Sequence, residues 1–338
     1  MKSVVYYAAG TIDRPDSLVD AKLPDPMPQS RDLLVEVKAI SVNPADTKAR
    51  ASSAPPAGEP RVLGWDAAGV VRSVGSEVTL FQTGDEVFYA GDITRPGAYA
   101  ERHAVDERLV GRKPRSLDWA HAAVLPLTSL TAWELLFDRL RVPYGVKTQP
   151  GKLLIINGAG GVGSMLIQLA RRLTGLTIVA TASRPESVEW VTRLGAHHVI
   201  DHRAPLDAAL RAIGIEQVEY VAGLTATDRH LPAIIEVIAP QGHLALIDDP
   251  ATLDIVGLKR KAVTVSWELM FTRSMFRTPD MIRQHEILEE VAALVDAGLL
   301  ISTLNGGVLG TINAANLKRA HALLESGRSI GKLALAGF

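Results

Sequence analysis

The stretch Leu153-Leu-Ile-Ile-Asn-Gly-Ala-Gly-Gly-Val-Gly163 predicts a buried strand, a glycine turn and the start of a helix. Its apolar beginning is typical of a parallel strand that is covered on both faces. The glycines of the turn have the G-x-G-x-x-G spacing, which allows backbone to approach a pyrophosphate and helix to pack closely on strand. A glycine turn can also serve tight packing alone. The flanking strand and helix patterns favour a dinucleotide site, whose candidate residues are Gly158, Gly160, Gly161, Val162 and Gly163.

The end of the next predicted strand indicates which nucleotide is preferred. An NAD site usually places a carboxylate there, about 20 residues past the glycine motif, to hold the ribose 2′-hydroxyl. This chain has Ser183, Arg184 and Ser187 instead, with no carboxylate before Glu186. A guanidinium and two hydroxyls suit a 2′-phosphate, although the same residues could simply cap the next helix. We therefore expect NADPH rather than NADH.

Composition sets limits on the class of protein. The 338 residues are 47% hydrophobic and carry a net charge of −1, which favours two domains with real cores and no nucleic-acid partner. There is no cysteine, so disulfides and thiolate metal sites are excluded. No apolar run reaches the length needed to cross a bilayer, and the first residues do not read as a signal peptide. A cytoplasmic enzyme is the expectation.

Two kinds of sequence pattern predict two domains. Residues 1–123 contain short alternating runs separated by Gly and Pro, which is typical of a β-rich, barrel-like domain. Residues 124–265 alternate strands and helices, which predicts an α/β domain with a doubly wound parallel sheet. The strands predicted for this sheet are 153–157, 177–181, 197–201, 217–222 and 243–247.

Seven short motifs in a fixed order carry a family resemblance: Ser41-Val-Asn-Pro-Ala-Asp-Thr47, Leu63-Gly-Trp-Asp-Ala-Ala-Gly-Val70, Gly84-Asp-Glu-Val-Phe88, Gly97-Ala-Tyr-Ala-Glu101, the run 122–133, the glycine turn and Gly331-Lys-Leu-Ala-Leu335. Over its whole length the chain resembles the medium-chain dehydrogenase/reductase superfamily. It is most similar to the zinc-free quinone oxidoreductase branch, which includes zinc-type alcohol dehydrogenase-like members. The resemblance implies a GroES-like catalytic domain made of residues 1–123 and 266–338, a Rossmann domain of residues 124–265, and a homodimer.

The resemblance also allows the zinc positions of related alcohol dehydrogenases to be compared. Those enzymes hold catalytic zinc with a cysteine, a histidine and a second cysteine. The matching positions here are Asn43, Trp65 and Leu127, and the four-cysteine structural zinc loop is absent. His197, His198 and His202 could form a metal site, but we favour the interpretation that they are polar residues at the ends of a strand. We expect an enzyme that does not need zinc.

Without zinc as a Lewis acid, the resemblance implies a different class of substrate. Quinones and α,β-unsaturated carbonyls accept hydride more readily than simple aldehydes, because the added charge is delocalised. The expected reaction is reduction of a small-molecule quinone or enone by NADPH. Two alternatives stay open: carbonyl/alcohol interconversion without zinc, and an NADPH-binding protein with little turnover.

Several residues are candidates for the site by resemblance. Asn43 could donate to the substrate oxygen or could be a turn residue before Pro44. Asp46 could orient Asn43, accept a proton or cap the following turn. Tyr89 could supply a proton or could pack on its strand. Contacts with the nicotinamide end of the cofactor are expected from Thr131, Leu246 and Ile247.

Overall fold

The computed structural model describes residues 1–338, and these form two compact units. The first unit contains Met1–Leu130 and Phe271–Phe338, and the second contains Thr131–Met270. Each boundary lies a few residues later in the chain than the sequence patterns suggested.

Sixteen strands and ten α-helices make up the two units. The strands are β1 Lys2–Tyr6, β2 Val19–Lys22, β3 Asp32–Ser41, β4 Arg61–Val62, β5 Ala67–Val74, β6 Glu86–Tyr89, β7 Arg102–Asp106, β8 Val110–Arg112, β9 Lys152–Ile156, β10 Thr177–Thr181, β11 His198–Ile200, β12 Val218–Gly223, β13 Ile238–Leu246, β14 Thr264–Trp267, β15 Leu304–Val308 and β16 Lys332–Ala336. The helices are α1 Pro44–Ser52, α2 Trp119–Ala123, α3 Pro126–Trp133, α4 Gly161–Leu173, α5 Pro185–Leu194, α6 Leu206–Ala212, α7 Thr227–Val237, α8 Thr272–Met275, α9 Arg283–Asp296 and α10 Ala314–Glu325. A π-helical turn, Glu134–Arg139, continues α3, and 3₁₀ turns cover Glu107–Leu109 and Ile255–Lys261.

The first unit is β-rich, as predicted. Its main sheet has the strand order β15-β16-β3-β5-β6-β8, with β7 also paired to β3, and a smaller sheet has the order β2-β1-β4. Along β3, Val35, Val37 and Ala39 are buried while Glu36 and Lys38 are only partly buried. This alternation is the period of a strand with one face in the core.

The second unit contains a six-stranded sheet in the order β11-β10-β9-β12-β13-β14, and every pair in it is parallel. The apolar strands place Leu154, Val179 and Leu244 in a core with side chains from α6 and α7. This is the doubly wound α/β sheet that was predicted. The fifth predicted strand begins earlier than expected, because β13 pairs with β12 at Ile238 before a bulge shifts the register.

A long apolar run covers Trp119–Arg139. It is long and apolar enough to cross a bilayer, contrary to the expectation that no run reaches that length, and 89% of it is buried inside the protein. Burial of this kind is what a core helix shows, since an all-round apolar helix of a folded domain packs on every side.

Candidate active site

The glycine turn between β9 and α4 is built for close backbone approach. A Cβ atom on Gly163 would lie 2.5 Å from the carbonyl oxygen of Gly158, and one on Gly158 would lie 2.8 Å from the Ala180 Cβ. At Gly160 the nearest atom to such a Cβ would be the Asn157 side chain, at 3.3 Å. The outer glycines are therefore required by packing, whereas a Cβ on Gly160 would meet mainly the side chain of Asn157, at a short but adjustable distance.

Gly160 is also the N-cap residue of α4. The N–H groups of Gly161, Val162 and Gly163 have no acceptor within the protein, because the first helical bond runs from Ser164 to the carbonyl of Gly160. Free N–H groups and the positive end of a 13-residue helix attract phosphate oxygens. The five predicted residues therefore lie in one turn with three free backbone donors, and their role in cofactor binding stays a prediction.

Three hydrogen bonds that were not predicted hold this turn in place. Ser164 Oγ donates to the Gly160 carbonyl at 2.7 Å and accepts from the Trp190 indole Nε1 at 2.8 Å. Asn157 has a left-handed backbone (φ +67°), and its N–H donates to Thr181 Oγ1 at 2.9 Å. Strand β10 and helix α5 therefore brace the turn through side chains.

The residues predicted to recognise a 2′-phosphate follow β10. Arg184 caps α5 and Ser187 is buried in its first turn. The structure adds Arg203, which the sequence reasoning missed. It donates to the Ser183 carbonyl at 3.0 Å and to the Asp201 carboxylate at 2.6–3.0 Å. Two arginines therefore lie near the ends of β10 and β11.

The segment at the end of β13 has fewer free backbone groups for hydrogen bonds to a nicotinamide carboxamide than expected. Leu246 is the last residue of β13 and Ile247 follows it, at the carboxyl end of the fifth predicted strand. The Ile247 N–H already donates to the Gly223 carbonyl at 3.1 Å, and the Leu246 carbonyl accepts from Glu268 N at 2.9 Å. The Ile247 carbonyl is then the group left for a carboxamide. Thr131 lies on α3 and is 6% exposed.

A buried pair of carboxyl groups lies at the same edge of the sheet. Glu268 follows β14, and Glu134 lies one helical turn after Thr131. Both side chains are at most 1% exposed, and Arg139 Nε donates to Glu268 Oε2 at 2.8 Å. Burial, and then the neighbouring Glu134, raise the pKa of Glu268. The pair therefore retains a proton at neutral pH.

In the first unit, Asn43 and Asp46 belong to one buried network. Asn43 is the N-cap of α1, and its N–H donates to Asp46 Oδ2 at 2.7 Å. The Tyr99 hydroxyl donates to the same oxygen at 3.0 Å and lies 3.2 Å from His321 Nε2. Burial raises the pKa of Asp46 to about 7. Of the roles considered for Asp46, capping is the one that these contacts support.

The side-chain amide of Asn43 is held by two further residues that were not singled out from the sequence. Its Nδ2 donates to Asp66 Oδ2 at 2.9 Å, and its Oδ1 accepts from Lys332 Nζ at 2.5 Å. Lys332 Nζ and Asp66 Oδ2 lie 3.2 Å apart and form a buried ion pair. The second N–H of Nδ2 makes only a long contact of 3.5 Å with the Trp65 carbonyl.

Tyr89 is placed apart from this network. Its hydroxyl lies 3.1 Å from His103 Nδ1, and His103 Nε2 lies 2.9 Å from the Pro96 carbonyl. Since Nε2 must donate to that carbonyl, Nδ1 accepts the Tyr89 proton. Burial raises the pKa of the Tyr89 hydroxyl above its usual value. Tyr89 makes no hydrogen bond to Asn43 or Asp46, and its catalytic role stays a prediction.

The residues at the three zinc-ligand positions do not fit a metal ion. The Asn43 oxygen faces the ammonium of Lys332, and the Trp65 ring edge donates from Nε1 to the Asp92 carbonyl at 3.2 Å. The side chain of Leu127 has no donor atom, and its backbone N–H donates to Asp66 Oδ1 at 2.8 Å. A buried cation and three such side chains are the wrong set for zinc, which takes thiolate, imidazole or carboxylate ligands.

Two protein-family profiles match the chain. Residues 29–115 match an alcohol dehydrogenase GroES-like domain, and residues 194–335 match a zinc-binding dehydrogenase domain. The first match lies in the β-rich unit. The second covers strands β11 to β14 of the parallel sheet and the chain from there to β16.

Individual relatives cover nearly the whole chain. A zinc-type alcohol dehydrogenase-like protein of Staphylococcus aureus (strain MSSA476) is 42% identical over 92% of each chain. A solved structure from Rhizobium etli CFN 42, described as a zinc-dependent alcohol dehydrogenase, is 56% identical over 100% of this chain and 98% of that one, with a TM-score of 0.96. An NADPH-dependent alkenal/one oxidoreductase of Arabidopsis thaliana is 38% identical over 60% of this chain and 52% of its own. The chain therefore belongs to the medium-chain dehydrogenase/reductase superfamily of oxidoreductases, with the zinc-type alcohol dehydrogenase-like proteins.

Proposed function

We propose that this protein is an NADPH-dependent, zinc-independent reductase that transfers hydride to α,β-unsaturated carbonyl compounds or quinones. The proposal is carried by the free N–H groups at the start of α4, with two arginines near the ends of β10 and β11, in the second unit. In the first unit it is supported by the Asn43 amide, one N–H of which makes only a long contact of 3.5 Å with the Trp65 carbonyl. The Arabidopsis relative, which acts on alkenals and alkenones with NADPH, supports the same reaction class.

The cofactor site would bind NADPH through two groups of residues. The free N–H groups of Gly161, Val162 and Gly163 would hold the pyrophosphate. Arg184 and Arg203 would hold the 2′-phosphate through charge-assisted hydrogen bonds, with Ser183 and Ser187 beside them. Bound NADPH supplies a hydride. Thr131 and the carbonyl of Ile247 would orient the nicotinamide.

In the first unit, Asn43 would turn the N–H that makes the long contact with the Trp65 carbonyl towards the substrate oxygen. For an enone, hydride brings one proton and two electrons to the β-carbon, the electrons of the C=C π bond move to form an enolate, and a proton from solvent then adds at the α-carbon. The negative charge that develops on the oxygen is stabilised by a fixed donor, which contributes most when the donor is already oriented. The Asp66 and Lys332 contacts supply that orientation.

Product analysis distinguishes this reaction from the carbonyl alternative. We expect NADPH and a small enone to give the saturated ketone, and a matched saturated ketone to give no consumption of NADPH. Formation of the allylic alcohol would instead favour carbonyl/alcohol interconversion. Binding of NADPH with no product from enones or quinones would favour a binding protein.

The proposed assembly is a homodimer. Strand β14 is the edge of the parallel sheet, and Trp267 and Leu269 beside it are 53% and 51% exposed. An uncovered edge strand with apolar side chains is a ready surface for a second copy. Sedimentation should give a dimer that Trp267→Lys weakens; a monomer at all concentrations would contradict this. The cytoplasmic location expected from the sequence stays a prediction.

A further inference from the structure

Glu134 and Glu268 form a buried carboxyl pair that none of the roles above uses. Glu134 begins the π-helical turn that continues α3, and Glu268 directly follows β14. No N–H or hydroxyl group of the protein donates to Glu268 Oε1, and the two carboxyl groups share a hydrogen bond. Because an ionised carboxylate can only accept, this hydrogen bond requires a proton on one of the two groups. The pair therefore carries one negative charge and not two.

Arg139 balances that charge. Its Nε donates to Glu268 Oε2 at 2.8 Å, and a second guanidinium nitrogen lies 4.0 Å from Glu134 Oε2. Glu134 and Arg139 are the charged groups that act on the Glu268 carboxyl, and burial together with Glu134 raises its pKa. The protonated pair and Arg139 are therefore neutral as a group, and loss of the shared proton would leave one negative charge.

The pair lies at the edge of the sheet where a cofactor is expected. Strands β13 and β14 run parallel and end together, and ligands of such sheets bind outside the carboxyl ends of the strands. The Glu268 N–H donates to the Leu246 carbonyl at 2.9 Å, and Ile247 is the next residue. Glu134 follows Thr131 by one helical turn. The pair is thus joined to both segments that are proposed above to orient the nicotinamide.

We propose that the shared proton of this pair makes the second unit prefer the reduced cofactor, NADPH, to the oxidised cofactor, NADP⁺. The inference rests on the proposed function, because that function places the nicotinamide beside Thr131 and Ile247. The oxidised ring carries a positive charge and the reduced ring carries none. A neutral group offers the oxidised ring no counter-charge, whereas an ionised pair would attract it strongly inside the protein. The proton therefore favours binding of NADPH and release of NADP⁺ after hydride transfer.

Competition between the proton and the oxidised ring follows from this arrangement. Coupling between two binding events is reciprocal, so binding of NADP⁺ should expel part of the proton and binding of NADPH should not. As pH rises towards the raised pKa of Glu268, the proton is lost and the Kd for NADP⁺ should fall relative to that for NADPH. The 2′-phosphate and the adenine are common to both forms, so their own titration cancels from the ratio of the two Kd values.

The ratio of the Kd for NADP⁺ to the Kd for NADPH, measured between pH 6 and pH 9, tests the inference. In the natural chain we expect this ratio to fall roughly threefold or more as pH rises. Glu268→Gln fixes the charge, because its amide donates to an ionised Glu134 that Arg139 balances at every pH. Its ratio should stay near the value that the natural chain has at pH 6. A constant ratio in the natural chain, or an equal fall in both proteins, would overturn the proposal.

Two further variants separate this role from a purely structural one. Glu219→Gln is the matched control and should keep the full fall, because Glu219 is a carboxyl of the same unit that pairs with Lys152 at the amino end of β12. Arg139→Met removes the cation and so raises the proton affinity of the pair, which should move the fall to higher pH. Changes of Tm alone, with the same pH dependence of the ratio in every protein, would overturn the proposal and leave the pair a structural one.

Calorimetry gives a second readout that needs no substrate. Titration of NADP⁺ at pH 8, in two buffers that differ in heat of protonation, should show release of a fraction of a proton, and NADPH should show none. Glu268→Gln should lose this release, and equal release with both forms would contradict the inference. A chain that binds both forms but reduces no enone or quinone would defeat the proposed reaction, while the binding ratio would still decide the role of the pair. A chain that binds neither form would defeat both.

Discussion

Trp190 donates from its indole Nε1 to the Oγ of Ser164 at 2.8 Å, and the same Oγ donates to the Gly160 carbonyl at 2.7 Å. The glycine turn before α4 is therefore held by a side chain from the next helix. A buried hydrogen bond of this kind contributes about 1 kcal/mol, and loss of a partner leaves the other group unsatisfied.

Trp190→Phe should weaken NADPH binding roughly three- to tenfold, because the Gly160 carbonyl loses its fixed orientation. Fluorescence titration of NADPH measures the change. Val188→Ala, a change at a partly exposed position of the same helix, is the control and should leave the Kd unchanged. Equal affinity in Trp190→Phe and the control would show that the turn needs no support from α5.

Two glycines of the turn should respond to alanine in opposite ways. Gly163→Ala drives a Cβ against the Gly158 carbonyl at 2.5 Å, so we expect a large fall in Tm. Gly160→Ala meets only the Asn157 side chain at 3.3 Å, so its Tm should stay close to that of the natural chain. NADPH binding should nevertheless be lost in Gly160→Ala, since the methyl group fills the space beside the free N–H groups. Thermal melts and NADPH titration of both variants check this contrast, and full NADPH affinity in Gly160→Ala would place the pyrophosphate elsewhere.

Arg203 should set the preference between NADPH and NADH. Arg203→Ala removes one charge-assisted contact to a 2′-phosphate, so kcat/KM for NADPH should fall at least tenfold while that for NADH changes little. Arg211→Ala is a matched control, because Arg211 is an exposed arginine of the same unit that pairs with Asp207 on α6. A parallel loss with both cofactors would mean that Arg203 acts through the fold and not through the phosphate.

The carboxyl pair at the edge of the parallel sheet predicts a pH dependence of stability. Burial and the Glu134 neighbour raise the pKa of Glu268 from its usual 4.5, so the folded protein retains a proton that the unfolded chain has lost at neutral pH. The pair's contribution to stability is therefore fully present below pH 4.5 and is lost as pH rises towards the raised pKa, by at most about 1.4 kcal/mol per pH unit.

Glu268→Gln carries no titrating proton and can still donate to Glu134. Its free energy of unfolding, relative to the natural chain, should increase between pH 5 and pH 9 in urea titrations. A difference that does not change with pH would show that the pair is ionised in the folded protein.

Local patterns were enough to predict the parts of this fold that depend on neighbours in sequence. The strands β9, β10 and β12 follow from continuous apolar runs, and the glycine turn follows from its spacing; all lie within a residue or two of the prediction. The start of β13 was missed because a bulge, not a pattern, sets its pairing with β12.

The supporting side chains could not be predicted in the same way, because their partners are distant in sequence. Trp190 lies 26 residues from Ser164, and Lys332 lies 289 residues from Asn43. Glu134 and Glu268 carry no local signal either, since charged residues are rarely buried unless they are paired. The one available hint was that Lys332 lies within the final motif, Gly331 to Leu335.

The most direct test of the account is steady-state consumption of NADPH and of NADH, with a strong chelator present, against matched panels of enones, quinones and saturated carbonyls. We expect turnover of enones or quinones with NADPH at least tenfold preferred, and no change on adding the chelator. Turnover of saturated carbonyls alone, or activity that the chelator abolishes and zinc restores, would contradict the account.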